Sequence, residues 1–153
     1  MLKIQRAEKA ELSKIAALES KIFSDAWSEK SLIETWNQKN AEIFTARYMI
    51  KESEDDDELA GYVIFYYVLD EGEIARIAVS PKARRQGTAT QIYQRLEKFC
   101  REKEITKIML EVRESNEAAR AFYSRCGFKE DGIRKNYYDE PKENAVLMSV
   151  NLN

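Results

Sequence analysis

The sequence contains no histidine. That absence removes the commonest general base near neutral pH, every Ser-His-Asp and Cys-His arrangement, and most zinc sites. Proton transfer in this chain must run through carboxylates, tyrosine, lysine or water. Cysteine is scarce too. Cys100 and Cys126 fall on the apolar faces of two separate stretches of helical spacing and lack metal-ligand spacing, so buried free thiols are expected. Five glycines and two prolines leave little punctuation, and neither a Gly/Ser-rich or Pro-rich linker nor an internal repeat divides the chain. No stretch approaches the roughly 20 apolar residues of a spanning helix. The opening Met1-Leu2-Lys3-Ile4-Gln5 carries no apolar run, and the expected location is cytoplasmic.

What remains is the make-up of one compact domain. A chain of 153 residues suits a single core, and 44% apolar with 34% charged residues is the mix of a folded protein rather than a disordered tail. The signs are interspersed and the net charge is −2, so no overall field draws the molecule to nucleic acid or an anionic membrane. Neither is expected as a direct partner.

Periodicity then orders the chain. Residues 10–22 place Leu12, Ile15, Ala16 and Ile22 at near-helical spacing, and Ser28 is a candidate cap for a second short helix carrying Leu32, Ile33 and Trp36. Residues 43–50 and 59–69 read as strands joined by a solvated acidic hairpin loop, Glu52-Ser53-Glu54-Asp55-Asp56-Asp57-Glu58. Residues 74–79 continue the meander after a turn at Asp70-Glu71-Gly72. Ala89, Ile92, Tyr93, Leu96, Phe99 and Cys100 recur at three- and four-residue steps, predicting a helix of about four turns. Residues 107–113 read as a strand, 116–126 as a helix closed by Gly127, and 128–137 and 145–152 as two further strands. The order β-α-α-β-β-β-α-β-α-β-β predicts an α+β fold: a mixed, mostly antiparallel sheet with helices on both faces. It contains one parallel crossover, between 74–79 and 107–113.

The most informative stretch is Ile77-Ala78-Val79-Ser80-Pro81-Lys82-Ala83-Arg84-Arg85-Gln86-Gly87-Thr88-Ala89: strand, basic glycine-bearing loop, helix. The first N–H groups of a helix lack intrahelical partners and lie at the positive end of its dipole, so they bind phosphate oxygens well. Gly87 permits close backbone approach, small Ala89 leaves room, and Arg84 and Arg85 add charge. On the loop alone, a polar turn entering a core helix explains these residues equally well. The loop lacks the Lys-Ser/Thr ending of a nucleoside-triphosphate loop and the Gly-x-Gly-x-x-Gly of a dinucleotide fold, which directs attention to another phosphate-bearing ligand.

The Arg84-x-x-Gly87-x-Ala89 loop, with this element order, resembles the acyl-CoA signature of the GNAT N-acetyltransferases. The resemblance covers nearly the whole chain and implies one acetyltransferase domain over residues 1–153. Four stretches look like the RimI-type members of that family: Phe23-Ser24-Asp25-Ala26-Trp27-Ser28; Leu110-Glu111-Val112-Arg113-Glu114-Ser115-Asn116; Ala121-Phe122-Tyr123-Ser124-Arg125-Cys126-Gly127-Phe128; and Arg134-Lys135-Asn136-Tyr137-Tyr138. Those enzymes acetylate the N-terminal alanine of a small-subunit ribosomal protein.

The resemblance implies acetyl-CoA as cosubstrate and no metal. The pantetheine arm would pair with backbone groups of Ile77, Ala78 and Val79, and the pyrophosphate would meet Arg84, Arg85, Gln86, Gly87, Thr88, Ala89 and Thr90. Asn116 would contact the cofactor while serving as an N-cap. Glu111 would be the general base and Tyr123 the general acid that protonates the departing thiolate. Trp27, Tyr137 and Tyr138 are candidates to line an acceptor groove, and core packing accounts for each equally well. Ala89 stands where many relatives carry Gly, and Arg76 places a basic residue just before Ile77. A lysine or small-molecule amine is an alternative acceptor, and a non-catalytic acyl-CoA-binding module the alternative from a different class.

Overall fold

The computed structural model describes residues 2–48 and 58–152. In chain order the elements are β1 (Leu2–Arg6), α1 (Leu12–Ile22), α2 (Glu29–Trp36), β2 (Ala41–Tyr48), β3 (Glu58–Val68), β4 (Glu71–Val79), α3 (Thr88–Glu102), β5 (Lys107–Arg113), α4 (Glu117–Arg125), β6 (Lys129–Tyr138) and β7 (Glu143–Asn151), with short 3-10 turns at Lys9–Glu11 and Pro81–Ala83. This is the expected order. The acidic run lies outside the described residues except for Glu58, which opens β3.

Seven strands form one sheet in the order β1-β2-β3-β4-β5-β7-β6. Among the described residues only β4 and β5 run parallel, because α3 carries the chain across between them; the other neighbours are antiparallel.

The apolar run of β3 explains the layering. Val63 and Phe65 pack with Ile92, Leu96 and Phe99 of α3, whereas Tyr62 and Ile64 pack with Leu12 and Ile15 of α1 and Leu32 of α2. A strand buried on both faces needs apolar side chains at successive positions. α3 presents Ile92, Tyr93, Leu96, Phe99 and Cys100 as one buried stripe, and each large side chain removed from water contributes about 1.5–3 kcal/mol. Ser28 caps α2 as expected, its hydroxyl oxygen accepting from the Ser31 N–H at 3.1 Å. Gly127, at φ 99°, follows α4 in the left-handed conformation.

One turn differs from expectation. The β3–β4 hairpin closes at Leu69 and Asp70, with Val68 opposite Glu71, and Gly72 lies inside β4. Glycine is required there by packing: a Cβ at Gly72 would stand 2.1 Å from the Phe65 ring.

A bulge in β4 shapes the region that follows. Ile64 faces Arg76 and Phe65 faces Ile74, leaving Ala75 without an opposite residue. Such an insertion bends the strand and increases its twist. The β4–β5 register accordingly ends at Ile74 opposite Leu110, while Glu111, Val112 and Arg113 remain paired with β7. Past that point the two parallel strands diverge.

Candidate active site

The divergence opens a cleft of about 180 Å³. Ala75 and Ile77 of β4 form one side and Glu111 and Arg113 of β5 the other; Tyr123 enters from α4 and Asn116 from the cap that precedes it, Phe23 and Asp25 from the segment between α1 and α2, and Tyr138 from β6. Alternation along β5 decides which side chains face which way. Ile108, Leu110 and Val112 are buried in the core shared with α3 and α4, so Glu111 and Arg113 point to the opposite face. Glu111 and Tyr123 thus meet the cleft from opposite sides of the sheet.

Glu111 sits in a charged setting. Arg134 Nη2 lies 3.4 Å from its Oε1, and a hydrogen bond to Glu111 raises the pKa of Tyr137. Burial and then the Glu111 charge push Tyr138 up to about 12. Burial, followed by the Glu111 charge, also raises the pKa of Glu73. These tyrosines reach the site because β6 is irregular. Between Arg134, opposite Ala145, and Tyr138, opposite Glu143, β6 carries two more residues than β7. Asn136 absorbs the distortion at φ 52°, its N–H donating to Asn144 Oδ1 at 2.9 Å. Arg113 latches the hairpin by donating to the carbonyls of Pro141 at 3.0 Å and Asp139 at 3.3 Å, with its guanidinium 4.3 Å from the Tyr138 ring centre.

Tyr123 has the opposite environment. It is buried against Phe122 and Phe128, and burial raises its pKa well above the ordinary tyrosine value. It therefore keeps its proton at neutral pH. Asn116 positions α4 by capping it, Oδ1 accepting from the Ala119 N–H at 3.1 Å. Both thiols are free, and burial pushes Cys100 up to about 12 and Cys126 up to about 11.

Beyond the divergent end of β4, the predicted anion loop leads into α3. Arg84 Nε donates to the Val79 carbonyl at 3.3 Å, Arg85 adopts φ 62°, and Gln86 accepts from the Tyr48 hydroxyl at 2.5 Å. Gly87 is the N-cap of α3 at φ 76° and supplies no side-chain cap. No atom lies within 4 Å of a Cβ built on it. Thr88 is buried and donates to the Ala83 carbonyl at 3.0 Å, while Ala89 and Thr90 occupy the first turn of α3. The N-terminus of this 15-residue helix thus has no side-chain cap and open space beside Gly87, an arrangement suited to phosphate oxygens.

The cleft brings together Ile77, Glu111, Asn116, Tyr123 and Tyr138. The side chain of Ala78 is buried in the α1-side core, and Val79 through Thr90 continue beyond the cleft. Tyr137 flanks Glu111 from outside. Trp27 is placed elsewhere, in a separate groove with Tyr66, the two ring centres 6.5 Å apart. Four residues given no role by sequence reasoning also belong to the site: Phe23, Asp25, Arg113 and Arg134. All fall inside the quoted motif stretches, but only the bulges and the divergent strands bring them together.

Residues 12–128 match the acetyltransferase (GNAT) family. A ribosomal protein bS18-alanine N-acetyltransferase of Escherichia coli strain K12 is 30% identical over 149 residues, covering 96% of this chain and 95% of its own. Its counterpart in Salmonella typhimurium is 32% identical over 135 residues, with 87% and 86% covered. The crystal structure of the ribosomal-protein-S18-alanine N-acetyltransferase from Escherichia coli superposes with a TM-score of 0.87 at 29% identity, covering 100% of this chain and 95% of that one. Arabidopsis thaliana NAA60, in complex with acetyl-CoA, shares the fold with a TM-score of 0.90 at 15% identity, covering 100% and 99% of the two chains. This chain belongs to the GNAT acetyltransferase family.

Proposed function

We propose that this protein transfers the acetyl group of acetyl-CoA to a protein N-terminal α-amine, with the N-terminal alanine of ribosomal protein bS18 as the acceptor. The observation that carries the proposal is the divergence of β4 from β5 after Ile74 and Leu110. An uncapped helix N-terminus lies beyond one end of it, and Glu111 and Tyr123 face it from opposite sides. The names of the curated relatives supply the acceptor, and the acetyl-CoA complex of a protein with the same fold supplies the donor. The proposal places the enzyme in the cytoplasm.

The residues present fit that donor. Past Ile74 the edge of β4 that faces away from β3 has no strand partner among the described residues, which suits an amide-bearing pantetheine arm, and the space beside Gly87 suits a pyrophosphate with Arg84 and Arg85 close by. When bound, acetyl-CoA supplies an activated acyl group in thioester linkage.

Each protein group then has a defined proton task. An α-ammonium of pKa about 7.7–8.0 is mostly protonated at pH 7, and Glu111 removes its proton directly or through one water. The freed nitrogen pair forms the C–N bond as the C–S bond breaks. Tyr123 hands its proton to the departing sulfur and regains one released from the acceptor nitrogen. Arg134 and Tyr137 hold the Glu111 carboxylate in place.

Thiol release from acetyl-CoA with an alanine-initiated bS18 peptide tests the proposal, with the product identified by mass. Glu111→Gln and Tyr123→Phe are each expected to lower kcat by about 10²–10⁴-fold while CoA binding stays unchanged. Release with a different amine but not with this peptide would overturn the acceptor. Absence of release with every amine would leave only a CoA-binding protein.

A further inference from the structure

Between α1 and α2 the chain has no helix or strand of its own, so its placement depends on side-chain ties. Most of those ties converge on Arg76 of β4. Arg76 Nε lies 3.3 and 3.2 Å from the two Glu19 carboxylate oxygens, and Nη2 lies 3.1 Å from Oε1. The same Nη2 donates to the Asp25 carbonyl at 3.1 Å and to Asp25 Oδ1 at 3.3 Å. The guanidinium carbon stands 3.7 Å from the centre of the Phe23 ring. Glu19, at 0% exposure, also accepts from the Trp27 N–H at 2.9 Å and from the Tyr62 hydroxyl.

One guanidinium and one buried carboxylate therefore hold residues 23, 25 and 27 against β4. Phe23 and Asp25 are a wall of the cleft, and the Asp25 charge acts on Tyr138, a further residue of that wall. The donor-side features lie elsewhere: backbone past Ile77, Gly87 and the start of α3.

We infer that Arg76 is a positioning residue for the acceptor, clamping the 23–27 segment to the strand beside the acetyl donor and so setting the wall that holds the incoming amine near Glu111. What the cleft binds rests on the acetyl-transfer proposal; the clamp itself does not. The planar fork matters, because a guanidinium bonds Glu19 and Asp25 together while stacking on Phe23. A lysine ammonium keeps Glu19 neutralised but cannot make all three contacts.

Arg76→Lys should raise the KM for the alanine-initiated peptide about tenfold or more, the scale of a lost charge-assisted hydrogen bond. kcat at saturating peptide and CoA affinity by calorimetry should stay close to wild type. Amide hydrogen exchange at Trp27 should accelerate while that of the β4 residues past Ile77 does not. Should Arg76→Lys fail to fold, Asp25→Ala removes the exposed carboxylate, leaves the Glu19 pair intact and should move peptide KM the same way by less. Unchanged peptide KM in the folded variants, or an equal loss of CoA affinity, overturns the assignment. A wild-type protein that ignores the peptide refutes the proposed acceptor instead. The Trp27 exchange rate still decides then: faster in Arg76→Lys supports the clamp, unchanged overturns it.

Discussion

Arg134 Nη2 stands 3.4 Å from Glu111 Oε1, and the Arg134 side chain is 54% exposed. An ion pair this open to solvent contributes about 0.2–1 kcal/mol. Arg134→Ala should therefore change kcat/KM by less than about fivefold, far less than Glu111→Gln. A loss in Arg134→Ala as large as in Glu111→Gln would mean that the cation takes part in the chemistry. Steady-state kinetics on both variants decide this.

Gly87 holds φ 76° beside empty space. A left-handed L-residue costs about 1–2 kcal/mol, so Gly87→Ala should lower the Tm by roughly 2–8 °C in a domain of this size and weaken CoA binding. Asn adopts that conformation more readily than Ala. Gly87→Asn should therefore regain part of the stability without regaining CoA affinity. Thermal melts and calorimetry separate the two effects, and full recovery of affinity in Gly87→Asn would remove the phosphate role.

Gly72 and Phe65 form a close steric pair well away from Glu111 and Tyr123 in function. With a Cβ at Gly72 only 2.1 Å from the ring, Gly72→Ala should destabilise the fold by about 1–3 kcal/mol through overpacking. Trimming the ring in Gly72→Ala/Phe65→Leu should cost less than the sum of the single changes, because the two side chains share one space. Denaturant titrations of the four proteins measure the coupling, and strict additivity would contradict the contact.

Burial raises the pKa values of Tyr62, Tyr93 and Tyr123 above the ordinary value near 10, with hydrogen bonding to Glu19 adding to the effect at Tyr62. A group whose folded pKa lies above its unfolded value stabilises fully below the unfolded pKa. That contribution is lost as pH rises toward the folded value. Stability should thus hold up to about pH 10 and fall above it. In an ultraviolet phenolate titration, Tyr62, Tyr93 and Tyr123 should ionise only as tertiary structure is lost. Because Tyr123 keeps its proton, acetyl transfer should show no tyrosine-dependent decline below that pH.

Much of the fold was legible in the residues. The stripe from Ala89 to Cys100 read as an amphipathic helix, the 59–69 segment rich in Tyr, Phe, Val and Ile read as a strand, and element order then implied the parallel crossover. Ser28 and Asn116 announced their helices as caps. The hairpin at Leu69 and Asp70 was harder to read, because Gly72 looked like turn punctuation when its actual constraint is the Phe65 ring, seven residues earlier in sequence.

By itself, the sequence determined the inventory of chemistry. Without histidine, proton transfer falls to carboxylates, tyrosine, lysine or water, and the Arg-Arg-Gln-Gly loop before α3 stands out as a candidate anion site because unsatisfied helix N–H groups are a local property of the chain. Tertiary structure alone decided where β4 leaves β5, since a bulge at Ala75 is a mismatch between two strands and has no signature in either one. It also decided that Arg134 and Tyr137 surround Glu111, that Trp27 faces a different groove, and that Arg76 clamps Glu19 and Asp25. Those relationships join residues up to 57 positions apart, and they exist only once separate burial demands have set every strand beside its partner.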